Sequence, residues 1–185
     1  MSRSNHETEV KLAVPGVADA KRLLYRAGFR VYKRRTFEDN LVLDTAALEL
    51  RNSARLLRVR EAGGKTTVTY KGRPIPSRHK SREELEFEAS SADAVAAVFD
   101  PLGFRQVFRY QKYRTEYKQR GSSGVATLDE TPIGTFLELE GNPGWIDRTA
   151  ARLGFQESDY ITESYGQLYL DWCKRQRRKP KDMVF

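Results

Sequence analysis

The stretch that decides the fold is residues 5–14, NHETEVKLAV. Successive side chains of an extended strand point to opposite faces, so residues two apart share one. Glu7, Glu9 and Lys11 therefore fall on one face and Val10 and Leu12 on the other. The same division recurs down the chain. Arg58 and Arg60 oppose Leu57 and Val59; Thr67, Thr69 and Lys71 oppose Val68 and Tyr70; Arg82, Glu84 and Glu86 oppose Leu85 and Phe87; Glu138 and Glu140 oppose Leu137 and Leu139. Lys112, Arg114 and Glu116 give a longer strand a charged face, and Asp129 ends another.

Working outward, strands are expected over 5–14, 30–43, 54–62, 65–72, 81–89, 104–119, 123–129 and 134–140, each bounded by Gly, Pro or small polar residues. Helical spacing appears over 17–28, 91–102, 143–153 and 163–176. Gly28, Gly103 and Gly154 follow three of these, where a left-handed stop would sit. This order reads as α+β with a mainly antiparallel sheet, and eight strands suffice to close a barrel. With 185 residues the chain is expected to form a single domain over 1–173, followed by a basic tail at 174–185.

Composition narrows the setting. A domain of this size buries roughly two-thirds of its unfolded surface and needs no disulfide or structural metal. The lone Cys173 cannot pair internally and rules out Cys-based zinc patterns. No apolar run approaches the ~20 residues of a membrane helix, and Met1 to Glu9 is polar where a signal peptide would be apolar, so a cytoplasmic protein without a membrane partner is expected. The net charge of +8 comes largely from Lys174, Arg175, Arg177, Arg178, Lys179 and Lys181. This tail is expected to be a solvated, frayed terminus, with an RNA or membrane-surface contact as the alternative.

An antiparallel sheet with one solvated side also alternates in this way. Here, however, amphipathic helices need an apolar sheet face, and the Leu/Val/Phe face is the one they would cover. If the sheet curls shut, the charged face becomes a lumen. It would hold Glu7, Glu9, Glu84, Glu86, Asp129, Glu138 and Glu140 against Lys11, Arg58, Arg60, Lys71, Arg82, Lys112 and Arg114. Desolvating each ion costs several kcal/mol, and pairing seldom returns more. So charged a lumen is a binding site for a ligand that also carries both signs. A polyphosphate chelating a divalent metal satisfies this: Arg and Lys bind phosphate oxygens, and carboxylates hold Mg²⁺ or Mn²⁺. Glu-x-Glu at 7/9, 84/86 and 138/140 places two acids on one strand face, within reach of one ion.

The motifs Glu7-Thr8-Glu9-Val10-Lys11, Leu57-Arg58-Val59-Arg60, Thr69-Tyr70-Lys71-Gly72, Arg82-Glu83-Glu84-Leu85-Glu86, Lys112-Tyr113-Arg114, and Leu128-Asp129 followed by Ile133-Gly134-x-Phe136-x-Glu138-x-Glu140 occur in the order found in the CYTH superfamily, the triphosphate tunnel metalloenzymes. The chain resembles that family over roughly 5–170, with Ile133 where the family has Leu. The resemblance implies an eight-stranded antiparallel tunnel with helices outside and activity on a triphosphate with Mg²⁺ or Mn²⁺. It implies that Lys11, Arg58, Arg60, Lys71, Arg82, Lys112 and Arg114 grip the triphosphate. Glu7, Glu9, Asp129, Glu138 and Glu140 would hold metal, with Glu84 and Glu86 in support, and Glu7, Glu9, Lys11 and Arg114 would take part in catalysis. The compact length, with Ser164-Tyr165 opening the last helix, is most similar to the class IV adenylate cyclases, which convert ATP to cyclic AMP and pyrophosphate. The alternatives are hydrolysis of inorganic or thiamine triphosphate, and a non-catalytic module binding polyphosphate or RNA. A homodimer is a further implication of the family, and nucleic acid is not the expected partner of the domain.

Two readings stand for the loop Gly72–Lys80, GRPIPSRHK: a lid over the tunnel mouth, or a mobile basic loop. His6 and His79 show no metal-ligand spacing and are read as incidental. Trp145 and Trp172 sit at helical spacing and are assigned to the core, while Tyr165 suits either core or site.

Overall fold

The computed structural model describes residues 5–185. The strands are β1 (Asn5–Val14), β2 (Arg30–Thr45), β3 (Leu56–Ala62), β4 (Lys65–Lys71), β5 (Lys80–Ala89), β6 (Phe104–Lys118), β7 (Val125–Thr131) and β8 (Gly134–Glu140). The helices are α1 (Val17–Arg26), α2 (Glu49–Asn52), α3 (Ala92–Phe99), α4 (Pro143–Arg152) and α5 (Tyr165–Arg175), with a 3₁₀ turn at Glu157–Asp159. Only the short α2 and this turn lack a counterpart in the periodicity. Each spans a single turn, too little for a repeating pattern to register.

The strands close into an antiparallel barrel in the order β1-β5-β4-β3-β2-β6-β7-β8, with β8 returning to β1. Closure removes every free sheet edge along the paired segments, leaving an inner and an outer face. The outer face is apolar where helices cover it. Val10, Leu12, Leu128, Leu137 and Leu139 pack with Leu24 of α1 and Ile146 of α4, and Leu57, Val59 and Val68 pack with Leu50 of α2 and Val95 of α3. Gly28 at φ 86 and Gly154 at φ 91 end α1 and α4 in the left-handed region, as their positions predicted. Trp145 lies in the first of these clusters. Among the described residues no helix is long and apolar enough to cross a membrane.

Unlike the other helices, α5 lies across one end of the barrel. Its Tyr165 and Tyr169 pack with Tyr110 of β6 and Phe136 of β8, and Ser164 caps its first turn by accepting from Gln167 N. The chain end departs from the frayed terminus expected of its charge. The basic run Lys174–Lys181 is exposed, but Met183 is buried beneath it. Met183 N donates to Arg109 O and Gln111 N donates to Met183 O, both at 2.9 Å, a parallel bridge on the part of β6 that β7 does not cover. Burial of one apolar side chain and two backbone bonds outweighs the repulsion of the basic run. Met183→Ala is expected to destabilise the fold by roughly 2–3 kcal/mol, read as a lower urea midpoint with an unchanged slope. An unchanged midpoint would mean that the terminus contributes nothing.

Candidate functional site

The inner face of the barrel collects the charged side chains. One cavity of about 1480 Å³ runs from a rim at His6, Glu140 and Gly141 to a vestibule at Leu48, Leu56 and Phe108, beside α5 and Lys181. Glu7, Glu9, Lys11, Arg58, Arg60, Lys71, Arg82, Glu84, Glu86, Lys112, Arg114, Glu138 and Glu140 all line it. Asp129 lies behind them, fully buried. The strands achieve this through register: Lys11 stands opposite Glu138, Glu7 opposite Arg82, Lys71 opposite Glu84 and Arg114 opposite Asp129.

Asp129 is the most tightly held acid. It accepts from Lys112 Nζ at 2.8 Å, from Arg114 Nε and Nη2 at 2.7 and 2.6 Å, and from Tyr165 Oη at 2.7 Å. Arg114 also pairs with Glu138, which lies 3.3 Å from Lys11 Nζ. Lys11 in turn donates to Glu9 Oε1 at 3.1 Å. Lys71 pairs with Glu7 and, at 2.7 Å, with Glu84. Among the described residues no three acids converge on one point as a preformed metal cage; most turn to a lysine or arginine, and Glu140 at the rim does not.

Among the described residues two buried cations have no such partner. Arg58 donates only to Tyr110 Oη at 3.4 Å and Thr69 Oγ1 at 3.2 Å, and its Nε is buried without an acceptor. Arg82 is buried and, among the described residues, makes no ion pair. Glu38 Oε2, Asn40 Oδ1 and Thr127 Oγ1 are likewise buried without hydrogen bonds. Buried polar atoms are ordinarily satisfied, so Arg58 Nε, unpartnered on the cavity wall, stands out as a donor open to a ligand.

The electrostatics divide the acids into two groups. Burial alone would raise Glu9 and Glu38, but Lys11, Lys71 and Lys80 hold Glu9 at about 2, while Lys112, Arg114 and Arg60 hold Glu38 at about 2. Glu7 goes the other way. Burial and a hydrogen bond with Glu84 raise it to about 7 against the pull of Lys71. Glu140, at the rim, is also raised to about 7, by desolvation and by Glu7, Glu9 and Glu138. Lys80 is lowered to about 8 by burial and by Lys11 and Arg82.

Glu7 supplies a pH prediction. Its folded value lies above its unfolded one, so its contribution to stability is fully present below pH 4.5 and is lost as the pH rises through 7. Glu7→Gln is expected to stabilise the metal-free protein by roughly 1–2 kcal/mol at pH 8 and to change it little at pH 5. Thermal melts at the two pH values check this, and equal shifts at both would show that ionisation is not the cause.

Sequence reading missed three contributors to the lumen. Glu38 and Asn40 lie on the inner face of β2, where the basic run Arg30–Arg35 obscures the alternation. Lys80 lies 3.5 Å from Glu9 and shares a face with Arg82, because β5 begins at Lys80, one residue before the expected strand. Tyr165, left open above, is a site residue: buried, bonded to Asp129, its ring 5.3 Å from Lys11 Nζ and 5.0 Å from Lys112 Nζ. His79 is not incidental. It is buried, with Nε2 2.7 Å from Asp147 Oδ1, and Arg78 reaches Asp147 and Glu157 at 2.7 and 3.1 Å. The β4–β5 loop is thereby tied to α4 and to the 3₁₀ turn beside the barrel.

A closed antiparallel barrel, clad in helices and lined with both signs of charge, defines a tunnel protein built to hold a polyanion. The chain belongs to the CYTH domain family, whose description matches residues 5–165. It is 30% identical over 135 residues, 72% of this chain and 75% of the relative, to MJ0240 of Methanocaldococcus jannaschii, whose name assigns it provisionally to the adenylate cyclases. Among solved structures it is similar to the PH1012 protein of Pyrococcus horikoshii OT3, with TM-score 0.75 and 29% identity over 88% of this chain and 98% of that one. It also shares its fold with HpAC1 from Hippeastrum, a protein named for adenylyl cyclase and described as having a dominant triphosphatase activity, with TM-score 0.65 and 21% identity over 94% and 97% of the two chains.

Proposed function

We propose that this protein is a divalent-metal-dependent enzyme that cleaves a triphosphate held inside the barrel, with cyclisation of ATP as the first reading. The observation that carries it is the pair of buried arginines, Arg58 and Arg82, which have no carboxylate partner among the described residues in a lumen where most other cations have one. An anionic ligand completes them. Arg60, Lys71, Lys11, Lys112 and Arg114 add further donors, each already oriented by an acid.

The donor set fits a hard cation. Glu7, Glu9, Glu138 and Glu140 lie on the paired strands β1 and β8 and offer only oxygen. Burial first, and neighbouring acids second, raise Glu7 and Glu140 to about 7, a penalty that a bound cation would offset. These four would hold Mg²⁺ or Mn²⁺, with Glu84 and Glu86 in support. A bound ion would supply charge neutralisation on the phosphoryl oxygens. Asp129 takes a different role from the one its motif implies: Lys112, Arg114 and Tyr165 occupy its oxygens, so it serves as the counter-charge that aims those two cations at the ligand.

Preorganised cations stabilise the charge that develops on the leaving phosphate, and positioning supplies much of the remainder. In cyclisation the ribose 3′-hydroxyl attacks the α-phosphorus and pyrophosphate leaves. The vestibule supports this reading, since Leu48, Leu56 and Phe108 beyond Arg58 offer apolar walls for a nucleoside. Hydrolysis of inorganic or thiamine triphosphate, with water attacking the terminal phosphorus, is the second reading. It is favoured by the exposure of Glu140 at the opposite rim, which leaves the acid corner open to water.

Phosphorus NMR of the products from ATP, inorganic triphosphate and thiamine triphosphate, each with Mg²⁺ or Mn²⁺, tests the proposal. Cyclic AMP with pyrophosphate establishes the cyclase, and orthophosphate establishes the hydrolase in the same site. Tight binding without turnover of any substrate would overturn the enzyme reading in favour of a binding module.

A further inference from the structure

The outer wall carries a second concentration of positive charge. Some surface arginines meet acids, as Arg35 meets Glu130, Arg78 meets Asp147 and Arg109 meets Asp39, and others, such as Arg34 and Arg105, stand apart in solvent. Arg120, Arg148 and Arg152 meet none among the described residues, and all three line one concavity of about 440 Å³ together with Ser122, Ser123 and Trp145. No acidic side chain lines it.

All three arginines are exposed, and one of them is held in place by a hydrogen bond. Arg148 and Arg152 are four residues apart on α4, so they share a face and repel each other. Arg152 Nη1 donates to Gln119 Oε1 at 3.3 Å, and Gln119 Nε2 donates to Ala27 O at 3.2 Å, which fixes that guanidinium across the pocket. Arg148 folds back over the first turn of its own helix, where a Cβ on Gly144 would stand 3.2 Å from its Nη1. That turn contains no acid, and its Trp145 N–H is capped by Asn142 Oδ1 at 2.8 Å. The facing wall is the β6–β7 loop, which reverses at Gly121 with φ 74 and brings up Arg120 and two serines. Ser122 Oγ accepts from Gly124 N, which leaves its own hydrogen free to donate.

We propose that this pocket is a second oxyanion site, outside the tunnel, which takes a phosphate group. Planar guanidinium forks and hydroxyl donors converging on an acid-free concavity match tetrahedral phosphate oxygens. The assignment is independent of what the tunnel does. The phosphate comes either from a free inorganic polyphosphate or from a phosphodiester backbone.

The test is a titration of the full chain with inorganic pyrophosphate, without divalent metal, following the indole N–H resonance of Trp145 assigned with Trp172→Phe. A shift that saturates in about the millimolar range is expected, weakened about tenfold or more in Arg148→Gln/Arg152→Gln and in Arg120→Gln on the facing wall. Arg58→Gln, inside the tunnel, should leave the Trp145 response intact. A drift that never saturates, or a response retained in both outer-wall variants, would overturn the site. Single-stranded RNA added to the pyrophosphate complex identifies the source: displacement assigns the pocket to a phosphodiester, and its absence to the free anion.

Discussion

Replacing Asp129 with alanine is expected to lower the melting temperature by roughly 6–20 °C, the equivalent of about 3–5 kcal/mol in a chain of this size. The fully buried carboxylate accepts from Lys112, Arg114 and the Tyr165 hydroxyl, so its loss leaves two cations facing each other in the interior. Asp129→Asn keeps the shape and removes the charge, and should be nearly as damaging. Inorganic triphosphate added without metal should recover more stability in either variant than in the parent protein, because it returns negative charge to the same cations. Thermal melts with and without the anion check this, and an unchanged melting temperature in both variants would remove Asp129 from the role of counter-charge.

The second large effect is expected on turnover. Glu138→Gln, nearly isosteric, should reduce the rate by roughly 10²–10³-fold at saturating metal, the usual consequence of losing one preorganised charged group. The same substitution removes one of the two carboxylates that hold each of Arg114 and Lys11, leaving Asp129 and Glu9 as their partners. Metal-free binding of inorganic triphosphate should therefore tighten while catalysis fails. Calorimetry in the presence of chelator and product release followed by phosphorus NMR measure the two arms separately. Full activity in this variant would exclude Glu138 from the metal-binding and catalytic group.

Most of the fold and much of the lumen were legible from the strand period. Because the period of a strand is two, Glu7, Glu9 and Lys11 share a face without reference to any other residue, and the same holds for Arg58 with Arg60 and Glu138 with Glu140. The alternation also implied that helices cover the apolar side, as Ile146 and Val95 do. Where two periods overlap, the reading fails. The basic Arg30–Arg35 run hid Glu38 and Asn40, and a loop assignment one residue too long hid Lys80.

The sequence by itself determined which side chains share a face within a strand, because that is a local property of an extended backbone. Only the tertiary structure decided who meets whom. That Asp129 meets Tyr165, 36 positions along the chain, depends on α5 lying across the barrel end. That Met183 anchors a tail dominated by positive charge depends on a stretch of β6 left uncovered by β7. Arg58 and Arg82 have the same sequence signature as Arg60 and Arg114, yet among the described residues they alone of these four lack an acid. Pairing depends on the register and closure of all eight strands, and these are set by the summed packing of the whole barrel rather than by any one segment.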